Sequence, residues 1–503
     1  MGREVVTTLE VVSIAHNIAA ILMALVGLHS LVLTFVYLWH QKQPAPPLPP
    51  VDGEWPRVVI QLPIYNERHV VDRLIDTMTR LDYPRDRLEV QLLDDSTDET
   101  VLIAATAVER ARQNGLSIKH VRRENRVGYK AGALAYGLTK TDAELVAVFD
   151  ADFVPDTDFL TGTVPYFLAD ERLGMVQTRW SHLNANSSLL TRAAALALDT
   201  HFIIEQTARH RGGMLMNFSG TAGIWRKATI EDAGGWAADT LSEDIDLSYR
   251  AQMRGWQFLY LPDLGAPAEV TPLMMGFKKQ QARWATGTIQ CLRKLGPTVL
   301  RSKLSIWQKI EAMFHLSAYM IHPLMLILLL TTLPIVLYTH NEAVPLAGLG
   351  FCMFGPPFEA MIAQRRLYPD WTKRLWFFPA LMTLAAGIAV SNTEAVLKGF
   401  SMKPVAFQRT PKFQMDGKRR SGWESSAYVL PIDYSVLVEL GLALYSAVTA
   451  IIAFQQEPGL CVLMAMYALG FAYVGGLSVW QARANRRLHG RERRSLELSE
   501  NKL

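Results

Sequence analysis

Residues 11–39 form one apolar run, from Val11 to Trp39, without a single Asp, Glu, Lys or Arg. That is longer than the roughly 20 residues needed to cross a bilayer. No small-residue cleavage site follows it, so it is expected to stay as an anchor. Further apolar runs at 316–338, 344–363, 436–455 and 458–480 read as spans, and 375–393 is a sixth apolar stretch. A polar block over residues 57–300 lies between the first run and the rest. Half of the 503 residues are hydrophobic and the mean hydropathy is +0.11, high for a soluble enzyme and low for a pure transporter. The chain must therefore combine a large folded domain with a membrane region.

Basic residues choose the side of the membrane. Lys42 and Arg57 follow the first run. Arg365, Arg366, Lys373 and Arg374 follow the third. Lys412, Lys418, Arg419 and Arg420 precede the fourth, and Arg483 to Arg494 follow the last. Five crossings with the N-terminus outside and the C-terminus inside put all four groups in the cytoplasm. A sixth crossing at 375–393 would turn the basic stretch after it outward, so this segment is expected in the interface or re-entering from the cytoplasmic side. The resulting division is an anchor (1–42), a Pro-rich linker (43–56), a catalytic domain (57–300), interfacial and spanning helices (301–400), a loop (401–425), a membrane hairpin (426–482) and a basic tail (483–503). Cys291, Cys352 and Cys461 are too few and too scattered for a disulfide framework or a zinc site. The net charge of +4 is small, and no nucleic-acid partner is expected.

Within 57–300, apolar strand patterns alternate with helical ones. The strand patterns starting at Arg57, Leu88 and Glu144 end at Ile64, Asp94 and Asp150. Helical patterns run over Glu67–Leu81 and Glu99–Asn114. This predicts an α/β domain with a mainly parallel sheet, its ligand site beyond the carboxyl ends of the strands. Neither Gly-x-Gly-x-x-Gly nor a P-loop is present, so neither a dinucleotide site nor a Walker-type site is supported.

The acidic clusters fall at those strand ends. Asp150 and Asp152 are two apart, and alternate residues of an extended chain share a side. Two such carboxylates can share one Mg2+ or Mn2+, leaving positions for diphosphate oxygens; a polar turn has the same spelling. Asp94 and Asp95 can accept from a nucleobase or ribose, or cap the helix that follows. Lys130, beside Gly128 and Gly132, can reach a phosphate from a helix start. Asp244, with Glu243 as second choice, can take a proton from an acceptor hydroxyl; an acidic helix start is the plain alternative. Gln280, Arg283 and Trp284 share a helix face and can hydrogen-bond, pair with a diphosphate and stack on a sugar. The small residues around Gly220 and Thr221 allow close approach to a ligand. Thr410 and Lys412 sit in a segment that can close over phosphates.

Together, from about Ile60 to Lys412, these motifs resemble the processive family-2 glycosyltransferases of the cellulose-synthase-like group. The resemblance implies a Rossmann-like GT-A domain inserted between transmembrane helices. It implies that Asp94 and Asp95 contact the nucleobase, with Glu67, Lys130, Asp150, Arg283, Thr410 and Lys412 also on the donor. It implies a metal on Asp150 and Asp152, a base at Asp244, and acceptor contacts from Gln280, Trp284, Gly220 and Thr221. The family's gating loop, Phe-x-Val-Thr-x-Lys, reads Phe407-Gln-Arg409-Thr410-Pro-Lys412 here, with Arg409 in place of Val. Val176–Trp180, Asn217–Gly223 and Gly255–Tyr260 look most like plant mannan and xyloglucan-backbone synthases, which use GDP-mannose or UDP-glucose. The expected partners are the nucleotide sugar, a growing β-linked (β-1,4) polysaccharide and the lipid bilayer of an inner, plasma or Golgi membrane. A single-transfer enzyme acting on a ceramide- or diacylglycerol-type lipid shares most of these motifs and is the alternative.

Overall fold

The computed structural model describes residues 2–338, 352–403, 409–415, 428–455 and 458–500, with side chains described from 9 to 485. Phe407, Gln408, the first half of the expected span at 344–363, Lys418 to Arg420 and the basic side chains beyond 485 lie outside it.

Seven strands build the central sheet: β1 (Val58–Ile64), β2 (Leu88–Asp94), β3 (Ile118–Val121), β4 (Leu145–Val148), β5 (Leu173–His182), β6 (Gly223–Arg226) and β7 (Gln257–Ala268). Their order is β3-β2-β1-β4-β6-β5-β7. β1, β2, β3 and β4 pair in parallel, as do β5 and β7. β1 and β4 are buried almost throughout, as strands covered on both faces must be, and so spell near-continuous apolar runs. The sheet is mainly parallel, as expected, with one exception. β6 runs antiparallel to both β4 and β5, so the sheet is mixed. Gly220 (φ 81°) and Ala222 (φ 54°) sit in the left-handed region just before it and turn the chain back.

The helices of the domain are α1 (Gly2–His40) at its entry, then α2 (Val71–Thr79), α3 (Thr100–Gln113), α4 (Tyr129–Leu138), α5 (Val164–Ala169), α6 (Leu189–Thr200), α7 (Thr207–Arg211), α8 (Lys227–Asp232) and α9 (Glu243–Met253). They cover the sheet with two cores. Ile60, Leu62, Leu74, Leu92 and Phe149 fill one. Val59, Leu134, Val146, Phe218, Trp225 and Phe258 fill the other. Trp225 is fully buried, with Phe218, Trp236 and Phe258 rings edge-on at 5.6, 5.9 and 5.3 Å.

After the sheet come α10 (Met274–Arg301), α11 (Ile306–Ser317), α12 (Ile321–Tyr338), α13 (Gly355–Leu367), α14 (Trp371–Arg374), α15 (Phe378–Gly387), α16 (Ala389–Ser401), α17 (Ser435–Ala453) and α18 (Pro458–Glu500). Four helical segments among the described residues are long and apolar enough to cross a membrane: Leu9–His40, Ile306–Tyr338, Ser435–Ala453 and Pro458–Asn485. Among the described residues, the expected span at 344–363 overlaps α13, thirteen residues long and packed on α1 and α6. The stretch expected to lie in the interface or re-enter is bent by 51° between α15 and α16, as a broken span or a re-entrant loop would be. α10 is tied to α17 by the buried Lys278, whose Nζ lies 2.5 Å from Glu439 Oε1 and 2.6 Å from Ser435 Oγ.

Truncating Trp225 to Ala empties the centre of the second core. The expected cost is about 3–5 kcal/mol, read as a large drop in the heating midpoint of the detergent-solubilised protein. A midpoint unchanged from wild type contradicts this packing.

Candidate active site

β1, β2, β4 and β7 all deliver acidic residues to the same edge of the sheet, and a cleft of about 560 Å3 opens there. Register makes this possible. Ile64 pairs with Asp94 and Gln61 with Val148, so the chain leaves β1, β2 and β4 at similar heights. Glu67, Asp95, Lys130, Asp150, Asp152, Gly220, Glu243, Asp244, Gln280, Arg283, Trp284, Thr410 and Lys412 line the cleft. Two residues expected there are turned elsewhere. Asp94 is buried, accepting from His120 Nε2 and from the Ser96 N–H at 2.8 Å each. Thr221 is buried under Asp150, whose backbone N–H donates to its Oγ1 at 2.9 Å. Both support the site from behind.

Asp150 and Asp152 sit just past β4 with a lysine each. Lys130 Nζ, from the first turn of α4, is 2.6 Å from Asp150 Oδ1 and 2.7 Å from the Gly220 carbonyl oxygen. Lys412 Nζ pairs with Asp152 Oδ1. Burial would raise the Asp150 carboxyl, but Lys130 and Lys412 outweigh it and hold it below the usual carboxylate range. Burial would likewise lower Lys130, and Asp150 with Glu243 reverses the sign. Two hard oxygen donors at the cleft, with ammonium groups standing where positive charge is needed, fit a divalent cation that keeps further positions for a ligand.

Asp244 begins α9 beside Glu243. Its carboxyl is raised by burial first and by Glu243 second, while the Ile245 N–H and Lys130 pull the other way. Asp246, two residues on, is fully buried and ion-pairs with Arg250 at 2.6 Å and Lys294 at 2.9 Å, which binds α9 to α10. Gly287 of α10 packs so closely on Ser242 and Leu241 that a Cβ has no room. α10 therefore sets the height of Asp244 as well as presenting Gln280, Arg283 and Trp284, all half-buried, to the cleft. Gln280 Oε1 accepts from Thr271 Oγ1 at 3.4 Å.

Asp95 is gripped by Arg123, through Nε at 2.9 Å and a second nitrogen on the other oxygen. Arg123 also donates to the Val127 and Tyr129 carbonyls, so one guanidinium fixes Asp95 and the loop leading to Lys130. The Arg126 guanidinium lies 3.4 Å from the Tyr65 ring centre, and the two form a flat wall of the cleft. The described residues 409–415 cross the mouth. Arg409 pairs with Glu67 at 2.9 Å and lies 4.0 Å from the Tyr428 ring centre. The Phe413 N–H donates to Glu269 Oε2 at 3.2 Å, and Glu269 in turn pairs with Arg73 at 2.6 Å. Burial pushes the Glu67 carboxyl up to about 7 against the pull of Arg409 and Lys412. Sequence reasoning missed Arg123, Glu269 and the Arg409–Glu67 pair, whose partners lie far apart along the chain.

Residues 56–287 match the family described as glycosyltransferase like family 2. These residues are similar to a family-2 glycosyltransferase domain. The domain and its flanks are 39% identical over 304 residues to glucomannan 4-beta-mannosyltransferase 2 of Arabidopsis thaliana, covering 59% of this chain and 57% of that one. With glucomannan 4-beta-mannosyltransferase 1 of Oryza sativa subsp. japonica the identity is 40% over 279 residues, 54% of each chain. The chain spans about half the length of these curated relatives. The solved mannosyltransferase PcManGT from Pyrobaculum calidifontis, in complex with GDP-Man and Mn2+, shares the fold, with a TM-score of 0.53 at 22% identity over 79% of this chain and all of that one. The sheet and its helices are thus GT-A-like, and the resemblance to the cellulose-synthase-like group is borne out in the relatives found.

Gly220 puts a sharp test on the cleft. A Cβ there would stand 2.8 Å from Asp244 Oδ2 and near Lys130, at a φ of 81° that side chains avoid. Gly220→Ala is expected to cost at least about tenfold in turnover with unchanged expression and size-exclusion profile. Wild-type turnover would mean that Asp244 and the 217–223 loop do not meet as described.

Proposed function

We propose that the chain is a membrane-integrated inverting hexosyltransferase. It extends a β-1,4-linked polysaccharide from GDP-mannose, with UDP-glucose as the other donor its motifs allow, and passes the product across the bilayer between its own spans. Its catalytic domain faces the cytoplasm of an inner, plasma or Golgi membrane. The observation carrying this is the meeting of Asp150, Asp152, Asp244, Arg283, Trp284 and Lys412 in one cleft. The names of the relatives, 4-beta-mannosyltransferases, and the GDP-Man and Mn2+ of the solved neighbour support mannose as the sugar.

In this reading Trp284 stacks on the terminal sugar of the acceptor and Gln280 holds it by hydrogen bonds. Asp244 takes the proton of the acceptor hydroxyl as its oxygen bonds to the donor's anomeric carbon. The bond from that carbon to the diphosphate breaks, and the nucleoside diphosphate leaves from the opposite face, so the configuration inverts. Arg283, Lys130, Thr410 and Lys412 line the path of the phosphates. A divalent cation on Asp150 and Asp152, Mg2+ or Mn2+, supplies charge that offsets the leaving diphosphate. Asp95 and the Tyr65–Arg126 wall lie where the base would rest.

The purified protein is offered labelled GDP-mannose or UDP-glucose with Mn2+ or Mg2+, and the product is sized and digested with linkage-specific glycosidases. A long polymer cut by a β-1,4-mannanase is expected, with Asp244→Asn lowering turnover by about 10²–10⁴-fold. One labelled sugar on an organic-soluble product would replace this reading with the lipid-acceptor alternative.

The pH profile gives a separate check. A base works ionised, and Asp244 is raised by burial and by Glu243. The acid limb of kcat/KM is expected above the ordinary carboxylate range of about 4. Glu243→Gln removes the like charge and should move that limb to lower pH. A limb that stays put in Glu243→Gln would remove Asp244 as the titrating base.

A further inference from the structure

The two lysines on the Asp150–Asp152 pair are not equivalent. Lys130 rises from the first turn of a ten-residue helix and has a second bond, to the Gly220 carbonyl. Lys412 lies in coil, and its ammonium is held by Asp152. The segment around Lys412 has ties of its own. Arg409 pairs with Glu67 on one side, and the Phe413 N–H bonds Glu269 on the other. Lys412 can therefore let go of Asp152 while its backbone stays docked.

Charge says when it should. Asp150 and Asp152 each already hold an ammonium group, Lys130 and Lys412, and both lysines are largely buried. A divalent cation entering alone would compete with an ammonium for the same carboxylate and add two unmatched charges in a poorly solvated place. A nucleoside diphosphate sugar brings two negative charges. Metal and donor arriving together leave the set balanced and give the Lys412 ammonium a phosphate to move to.

We infer that Lys412 is a counter-ion latch on Asp152. It keeps the Asp-x-Asp pair from holding a divalent cation until the nucleoside diphosphate arrives, so metal and donor are taken up together. This rests on the reading above that Asp150 and Asp152 hold the cation. Arg409 and Glu67 are positioning residues here, since they keep the segment seated while the lysine exchanges.

The test is Mn2+ binding to the full-length protein in detergent, followed by the electron paramagnetic resonance signal of free Mn2+, with no turnover required. Wild type should bind Mn2+ alone weakly and about tenfold or more tightly when GDP is present. Lys412→Met should tighten binding of Mn2+ alone by about tenfold and lose most of the gain from GDP. Lys412→Arg keeps the charge and should behave as wild type, which separates the latch from damage to the fold. Equal affinity for Mn2+ alone in wild type and Lys412→Met overturns the latch. Mn2+ binding that is unchanged in Asp152→Asn, with or without GDP, overturns the metal reading itself and the latch with it.

Discussion

Carboxylates removed from water must be matched by positive charge, or ionising them costs several kcal/mol each. This chain places Glu67, Asp94, Asp95, Asp150, Asp152 and Glu269 at the ends of four strands, along one edge of one sheet. Each finds its partner in a different element. Arg409 serves Glu67, His120 serves Asp94, Arg123 serves Asp95, Lys130 and Lys412 serve the Asp-x-Asp pair, and Arg73 serves Glu269. These pairs tie the elements around the cleft to one another. A charged ligand can enter by exchanging partners, because the positive and negative groups are already desolvated and aimed. Asp244 stands apart. Among the described residues no ion pair reaches it, and its proton affinity rises as a base near neutral pH requires.

α10 makes the membrane region part of the same machine. Lys278 is locked to Glu439 and Ser435 of α17, and Gln280, Arg283 and Trp284 follow within two turns. Gly287 then presses on Ser242 at the start of α9. One helix thus carries the tie to α17, three residues of the cleft wall and the stop against Ser242 at the start of α9. On the other flank, Arg209 of α7 pairs with Glu311 of α11 at 2.7 Å, and Glu311 meets His29 of α1. Buried ion pairs add little net stability, but a lost partner leaves a stranded charge. They suit the role of fixing register between the sheet domain and the long apolar helices.

The central strands β1, β2 and β4 were legible because a buried parallel strand spells an apolar run, with an acid ending β2 and another following β4. β6 was not, because Gly223–Arg226 is short and the small residues before it read equally well as a tight loop. Asp94 and Asp95 look alike as letters, yet successive residues point to opposite sides, and only one reaches the cleft. Charge alone led to the expectation that 375–393 lies in the interface or re-enters; the 51° bend was not foreseen. Its packing was not visible, since Gly387 meets the backbone of Gly470 on α18, where neither residue could carry a side chain freely. Arg123, Glu269 and Arg409 gave no signal, because their meaning lies in contacts across the fold.

Arg409 shows how far a single departure from a family pattern reaches. The gating segment it resembles has Val at this position, and a Val could give Glu67 neither charge nor hydrogen bond. Glu67 is 7% exposed, and burial already pushes its carboxyl up to about 7. That position already includes the downward pull of Arg409; without the guanidinium the carboxyl would sit higher still and be largely neutral, and the segment would lose its tie on the β1 side. With it, the segment is docked by charge at Glu67 and by backbone at Glu269, on either side of the one lysine that must change partners. Glu67 and Arg409 therefore belong together, as the fixed seat about which Lys412 can move between Asp152 and a phosphate.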